Sequence, residues 1–532
     1  MARLFADDKT FVDKPTLHPP STVLANFAAI NGSTASRSAL AQFVADNFGQ
    51  EGSELLPVPL EIEDNPAFLT KVNDTLLRAF GRVVNGYWGT LVRRQDFSLC
   101  AGCVSSMLPL KYHFVVPGGR FRESYYWDTY FAIEGLLRSG LYDLSKSTIR
   151  DLLDFVDTHG FVPNGARVYY LNRSQPPLLS LMVALYYDHT KDLAFVVDAL
   201  PRLQREHAFW QSEAHVVAVN NVTLNRYYVD SDGPRPEAYA KDYELAHNVS
   251  DGPGVQASVY ADMATGAETG WDYSTRWVKT PNASPDRLLF GIRTRQVVPV
   301  ELNAILYQVE QTLSAFVALT NCTSSPDYAA LARTRRSAMD RVFYDKGSGL
   351  FFDYLLDENR RSSVLSPASL WPYWAFGPNA TDGGDGRAFE TVDKILGKNP
   401  GGFPATLVRS GQQWDYPSAW PPLQYVLMRG ALTAGHSGVA LTLAQSFVDS
   451  VFCAWYATGG SIPGVLEKSQ AAVDSGHMFE KFDSEVVGRQ GGGGEYVVQA
   501  GFGWTNGVLI WTLDTFGADL GTPSCPRPRL PA

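Results

Sequence analysis

Apolar residues recur at helical spacing along most of this chain, and that pattern constrains the fold more than any other feature. Across residues 144–156, Ile149, Leu152, Leu153 and Val156 fall on one helix face, and Gly160 supplies a stop. Residues 301–319 bring Ile305, Val309, Leu313 and Phe316 together in the same way. Another helix, beginning at Pro326, is expected to turn Leu331, Met339 and Val342 inward, and residues 437–452 do so with Leu443, Phe447 and Val451. After Ser174-Gln-Pro-Pro177 the chain runs apolar through Tyr187, as a buried helix opened by proline does. Alternating strand patterns are scarce and no strand–helix–strand rhythm appears. The prediction is all-α, with no composition break between residues 75 and 515. Residues 1–70 read as a helical extension packed on a main body of residues 71–517, and the proline-rich end, residues 518–532, reads as unstructured.

Charge narrows the function. The net charge is −10 and no block of five basic residues occurs, so nucleic acid is not an expected partner. No apolar run approaches the ~20 residues needed to span a bilayer. The N-terminus, Met1-Ala-Arg-Leu-Phe-Ala-Asp-Asp-Lys9, lacks the apolar core of a signal peptide. Against that stand eight Asn-x-Ser/Thr sequons, at Asn31, Asn73, Asn172, Asn221, Asn248, Asn282, Asn321 and Asn379. They outweigh the missing leader and point to the secretory pathway, outside the cell or at its surface. The five cysteines are an odd number, and Cys100-Ala-Gly-Cys103 has no second such pair and no histidine set beside it. It reads as a loop disulfide or two free thiols, not a zinc site, and no disulfide framework follows.

The loops carry the chemistry. Val116-Pro-Gly-Gly-Arg-Phe-Arg-Glu-Ser-Tyr-Tyr-Trp-Asp-Thr-Tyr130 sets Arg120, Trp127 and Asp128 just after a glycine turn. Asn164 and Arg173-Ser174-Gln175 follow, then the stiff turn Pro234-Arg235-Pro236-Glu237. Glu268-Thr-Gly-Trp-Asp-Tyr-Ser-Thr-Arg-Trp277 places Asp272 between aromatics, where desolvation raises a carboxyl pKa, as a general acid requires. Gln412-Gln-Trp-Asp-Tyr-Pro-Ser-Ala-Trp-Pro-Pro-Leu-Gln424 is a further cluster. Near the end, Phe479-Glu-Lys-Phe-Asp483 and Arg489-Gln-Gly-Gly-Gly-Gly-Glu495 offer two candidate carboxylates, Glu480 and Glu495, which spacing does not rank. Aromatic faces beside Asp, Glu, Arg and Asn are the chemistry of a sugar site: rings cover C–H faces and forked polar groups take hydroxyls. A glycan on Asn172 would crowd Arg173, so that sequon is expected to be unused.

These motifs resemble those of the trehalases. Residues 117–130 fit the signature Pro-Gly-Gly-Arg-Phe-x-Glu-x-Tyr-x-Trp-Asp-x-Tyr throughout. Residues 413–424 fit Gln-Trp-Asp-x-Pro-x-Gly-Trp-Ala-Pro-x-Gln except at Ala419 and Pro421. The resemblance implies an (α/α)6 barrel and inverting hydrolysis of α,α-trehalose to two glucoses, with water as co-substrate and no metal or cofactor. It implies Asp272 as acid and Glu480 as base, their carboxyls about 6.5–9.5 Å apart to admit water. It implies sugar contacts at Arg120, Trp127, Asp128, Asn164, Arg173, Ser174, Gln175, Arg235, Pro236, Glu237, Gly270 and Glu495. Two other readings are a barrel hydrolase of another α-glucoside and a catalytically silent sugar-binding protein; retention of both Asp272 and Glu480 argues against the second.

Overall fold

A computed structural model describes residues 2–31, 34–377, 380, 385–469, 474–493 and 499–526. Helices α1 (Lys9–Val12), α2 (Pro20–Ala29) and α3 (Arg37–Asn47) form the N-terminal region. They are followed by α4 (Thr75–Gly86), α5 (Trp88–Leu91), α6 (Tyr126–Arg138), α7 (Tyr142–His159), α8 (Leu179–Thr190) and α9 (Leu193–Trp210). Next come α10 (Tyr239–Val249), α11 (Pro253–Glu268), α12 (Val300–Thr320), α13 (Tyr328–Val342) and α14 (Trp371–Phe376). The chain ends with α15 (Asp385–Leu396), α16 (Pro421–Thr433), α17 (Ser437–Ala457) and α18 (Gly503–Phe516).

Among the described residues, α6, α8, α12, α14, α16 and α18 pack side by side in that order, and α18 returns to α6 to close a ring. A second layer surrounds them: α7 covers α6 and α8, α9 covers α8 and α12, α13 covers α12, α17 covers α16 and α18, and α4 covers α18, with α15 against α17. This is the (α/α)6 barrel. The two layers differ in sequence as they do in burial. Three inner helices, α6, α16 and α18, are buried nearly all round, as in α6 from Tyr126 to Leu137. Outer helices keep one apolar stripe. The ring closes because two glycines let backbones touch: a Cβ on Gly507 of α18 would lie 1.9 Å from the Phe131 carbonyl oxygen of α6.

The helix expectations hold with one correction. On α13 the buried stripe is Tyr328, Ala332, Arg335, Met339 and Val342, and Leu331 points to solvent, 40 % exposed. The polar Arg335 takes the inward place because it forms charge-assisted hydrogen bonds with Glu310 of α12. Residues 518–526, expected to be loose, are held against the barrel: Cys525 is disulfide-bonded to Cys453 of α17, and Gly521 N donates to Gln445 Oε1 at 2.8 Å. Cys100 and Cys103 form a second disulfide, and Cys322 is a free thiol. Helix α17 is long and apolar enough to cross a membrane by length and composition; here it packs on α16 and α18.

The N-terminal region is locked on by buried charge. Lys9 Nζ donates to Asp13 and Glu123, both at 2.5 Å, and Arg167 Nη1 donates to Glu54 at 2.7 Å. Burial alone would raise the Glu123 carboxyl, but Lys9 and Arg167 outweigh it and hold it well below the usual range.

Candidate active site

A cavity of about 850 Å³ opens at the end of the ring where α6, α8, α16 and α18 begin. The chain segments leading into those helices supply its walls, and the α10–α11 pair, inserted between α9 and α12, supplies one more. Sequence motifs hundreds of residues apart therefore meet here, most of them because they lead into an inner helix and the Arg235 and Asp272 motifs because they flank the α10–α11 pair.

Asp272 lies on the loop after α11 and is half-buried in the cavity wall. The loop begins at Gly270, whose φ is +73°; a Cβ there would sit 3.0 Å from the Trp127 indole. Beyond Asp272 the loop is pinned by Asp415, whose carboxylate accepts from five donors. These are Ser274 Oγ (2.9 Å), Thr275 N (2.9 Å), Thr275 Oγ1 (2.8 Å), Thr406 Oγ1 (2.8 Å) and Ser410 Oγ (2.5 Å). Burial pushes the Asp415 carboxyl up to about 6, against the pull of those donors. Arg276 is sandwiched between Trp271 and Trp277, its guanidinium carbon 4.4 Å from each ring centroid, and pairs with Asp353 and Glu301.

Glu480 lines the same cavity and is 1 % exposed. Its peptide N donates to Gln499 O at 2.9 Å and its carbonyl accepts from Trp504 Nε1 at 2.9 Å. The next residues, Phe482–Asp483, pair antiparallel with Ser418–Ala419, which fixes this loop to the one carrying Asp415. Gln413 joins the two carboxylate loops directly. Its Nε2 donates to the Asp272 carbonyl at 2.5 Å and its Oε1 accepts from Lys481 Nζ at 2.9 Å. Lys481 is fully buried, 4.7 Å above the Trp420 ring; burial lowers its pKa, and the charges of Glu480 and Asp272 oppose that. Asp128 faces the same two carboxylates: burial first, then Glu480, then Asp272, push its pKa well up.

Stacked indoles form one wall. Trp414 lies 3.7 Å from Trp420 with the planes parallel to 1°, and Trp127 and Trp504 complete the surface. Four arginines line the cavity, each held by a carboxylate: Arg3 by Glu244, Arg120 by Asp7, Arg173 by Glu237, and Arg235 by Asp242 at 2.7 and 2.8 Å. Asn164 Nδ2 donates to the Ser174 and Ala267 carbonyls, and Gln175 Oε1 accepts from Trp127 N at 3.1 Å.

Eleven of the residues singled out in the sequence thus share this cavity: Arg120, Trp127, Asp128, Asn164, Arg173, Gln175, Arg235, Glu237, Gly270, Asp272 and Glu480. Two lie behind its wall. Ser174 Oγ turns inward to the Val162 carbonyl at 2.7 Å, and Pro236 starts the short 3₁₀ turn that separates Arg235 from Glu237. Glu495 falls outside the described residues. The sequence reading missed Gln413 and Asp415, which sit inside a quoted motif, and the wall residues of the N-terminal segment, which carry no sugar-site signal.

Comparison with known proteins gives the family. The family model described as Trehalase matches residues 3–517. The trehalase of Homo sapiens is 39 % identical, over 97 % of this chain and 87 % of that one. The Bombyx mori trehalase is 38 % identical over 98 % and 89 %, and a periplasmic trehalase of Xanthomonas oryzae pv. oryzae 36 % over 99 % and 86 %. Among solved structures, neutral trehalase Nth1 from Saccharomyces cerevisiae superposes with a TM-score of 0.58 at 24 % identity, covering 76 % of this chain and 73 % of that one. A GH63 mannosylglycerate hydrolase from Thermus thermophilus shares the fold at a TM-score of 0.51 and 16 % identity, over 75 % and 95 %.

Proposed function

This chain belongs to the trehalase family, a family of glycoside hydrolases, and we propose that it hydrolyses α,α-trehalose to two glucose molecules with inversion at the attacked carbon. Asp272 is the general acid. It delivers its proton to the bridging oxygen as the C1–O bond breaks, so that oxygen leaves as the hydroxyl of one glucose. Glu480 is the general base. It takes a proton from water as the water oxygen bonds to C1 from the opposite face. The observation that carries this reading is that both carboxylates line one cavity together with Arg120, Arg173, Arg235 and an indole wall.

The environment suits both roles. Lys481, buried beside both carboxylates, meets the charge of Glu480 more strongly than that of Asp272. Arg120, Arg173 and Arg235 present forked donors to ring hydroxyls, and Trp127 covers a C–H face. Asp128, Asn164, Gln175, Glu237, Gly270 and Glu495 complete the sugar contacts, while Ser174 and Pro236 act through the loops they shape. The substrates are trehalose and water.

We place the protein in the secretory pathway. Among the described residues, the sequon asparagines Asn31, Asn73, Asn172, Asn221, Asn248, Asn282 and Asn321 are all exposed, and two disulfides suit an oxidising compartment.

Proton NMR of the first turnovers tests the mechanism. Inversion releases one β- and one α-glucose per trehalose; release of α-glucose alone would exclude Glu480 as a base acting on water.

A further inference from the structure

The segment leading into α1 runs along the cavity, although it contains none of the sugar motifs. Phe5, Ala6, Asp7 and Asp8 line the wall beside Arg120. Asp7 faces Arg120 fork to fork: Arg120 Nε and Nη2 donate to its two oxygens at 2.6 Å each, across 113 residues of sequence. The carboxylate is itself fixed, since Lys9 N donates to Asp7 Oδ1 at 3.0 Å. Both ends of the segment are tied down. Lys9 is buried among Asp13 and Glu123, and Ala240 N on α10 donates to Asp8 Oδ2 at 2.6 Å. Asp7 is only one-third exposed; burial raises its carboxyl, and the hydrogen bonds and charge of Arg120 outweigh that and hold it below the ordinary value.

A guanidinium is planar, so a two-point clamp on one edge sets the direction of the donors on the other. Arg120 N is also fixed, donating to Gln499 Oε1 at 2.7 Å, so backbone and head group are both set. We propose that Asp7 is a positioning residue for hydrolysis: the N-terminal strap, residues 3–8, supplies the fork that aims Arg120 at the disaccharide. This rests on the trehalase reading above and adds to it a residue that no sugar motif contains.

The competing view is an ion pair that only fastens the strap. A double-variant cycle on the full chain separates the two: wild type, Asp7→Asn, Arg120→Lys and the pair, each assayed for kcat and KM on trehalose and for its denaturation midpoint. Asp7→Asn is expected to lower kcat/KM by about 10–100-fold, the scale of a charge-assisted hydrogen-bonded pair, with a midpoint close to wild type. In the Arg120→Lys background the same change is expected to cost less than about 3-fold, because its route of action is already gone. Full kcat/KM in Asp7→Asn, or losses that multiply in the double variant, would overturn the positioning role while leaving the trehalase reading intact. Absence of turnover in wild type would overturn both. Should Asp7→Asn fail to fold, Arg120→Lys carries the test alone, since it keeps the charge and breaks the fork: unchanged kcat/KM there refutes the proposal.

Discussion

Asp415 offers the sharpest test of how the acid loop is held. It is fully buried and five donors converge on it from two chain segments, 274–275 and 406–410. Its carboxyl stands at about 6, roughly two units above an ordinary Asp, so the ionised form is already disfavoured by about 3 kcal/mol. Asp415→Asn removes that charge and keeps an oxygen where Oδ1 accepts from Ser274, Thr275 and Thr406. The relief of burial offsets the weaker bonds, and stability should stay within about 1 kcal/mol of wild type. Asp415→Ala is different. The Thr275 amide cannot turn away, and an orphaned buried donor costs about 1–3 kcal/mol. The four hydroxyls lose an acceptor too, but they can rotate, which brings the total to about 3–5 kcal/mol. Ser274 and Thr275 lie close behind Asp272, so the loop should shift and turnover fall by about 10²-fold. Guanidinium denaturation midpoints and initial glucose release measure both. An alanine variant with wild-type midpoint and turnover, or an asparagine variant as damaged as the alanine one, would refute this account.

Burial pushes the Glu206 carboxyl up to about 8, outweighing the Tyr126 hydroxyl bond; in the unfolded chain it lies near 4.3. Between those values the native state keeps a proton that the unfolded chain has released, so this group's contribution falls by about 1.4 kcal/mol per unit as pH rises from about 4 to 8. Glu206→Gln should flatten that part of the stability–pH curve, read from denaturation midpoints; an unchanged slope would count against it. Cys525→Ser opens a disulfide that spans 72 residues and should cost about 4 kcal/mol, lowering the denaturation midpoint to that of the reduced wild type. A variant that reduction lowers further would show that the other disulfide matters more.

The sequence made the helices legible where local chemistry marks them. Gly160 takes the left-handed conformation that ends α7, and the stripes on α12 and α17 face inward as the spacing predicts. Leu331 was misread because Arg335, paired with Glu310, claims the inward stripe. Ring order was not legible: periodicity tells a helix which face to bury, not which neighbour to bury it against. The resemblance supplied the number of helices. Most of the site was readable because sugar chemistry concentrates aromatics and charge in short motifs. Asp7 and Gln413 escaped because each acts on another side chain or a carbonyl, and such a role leaves no trace in the residue type alone.

The contact of Gly507 with Phe131 joins the first inner helix to the last, across more than 370 residues of sequence. Each inner helix from α8 to α16 can settle on the one before it as it emerges, but the Trp504 and Glu480 part of the pocket has no seat until the closing helix arrives. Contacts of such long sequence separation form late, after the entropy of a very large loop has been overcome. The cavity wall around Trp504 and Glu480 is therefore completed only when the ring closes, at the end of folding.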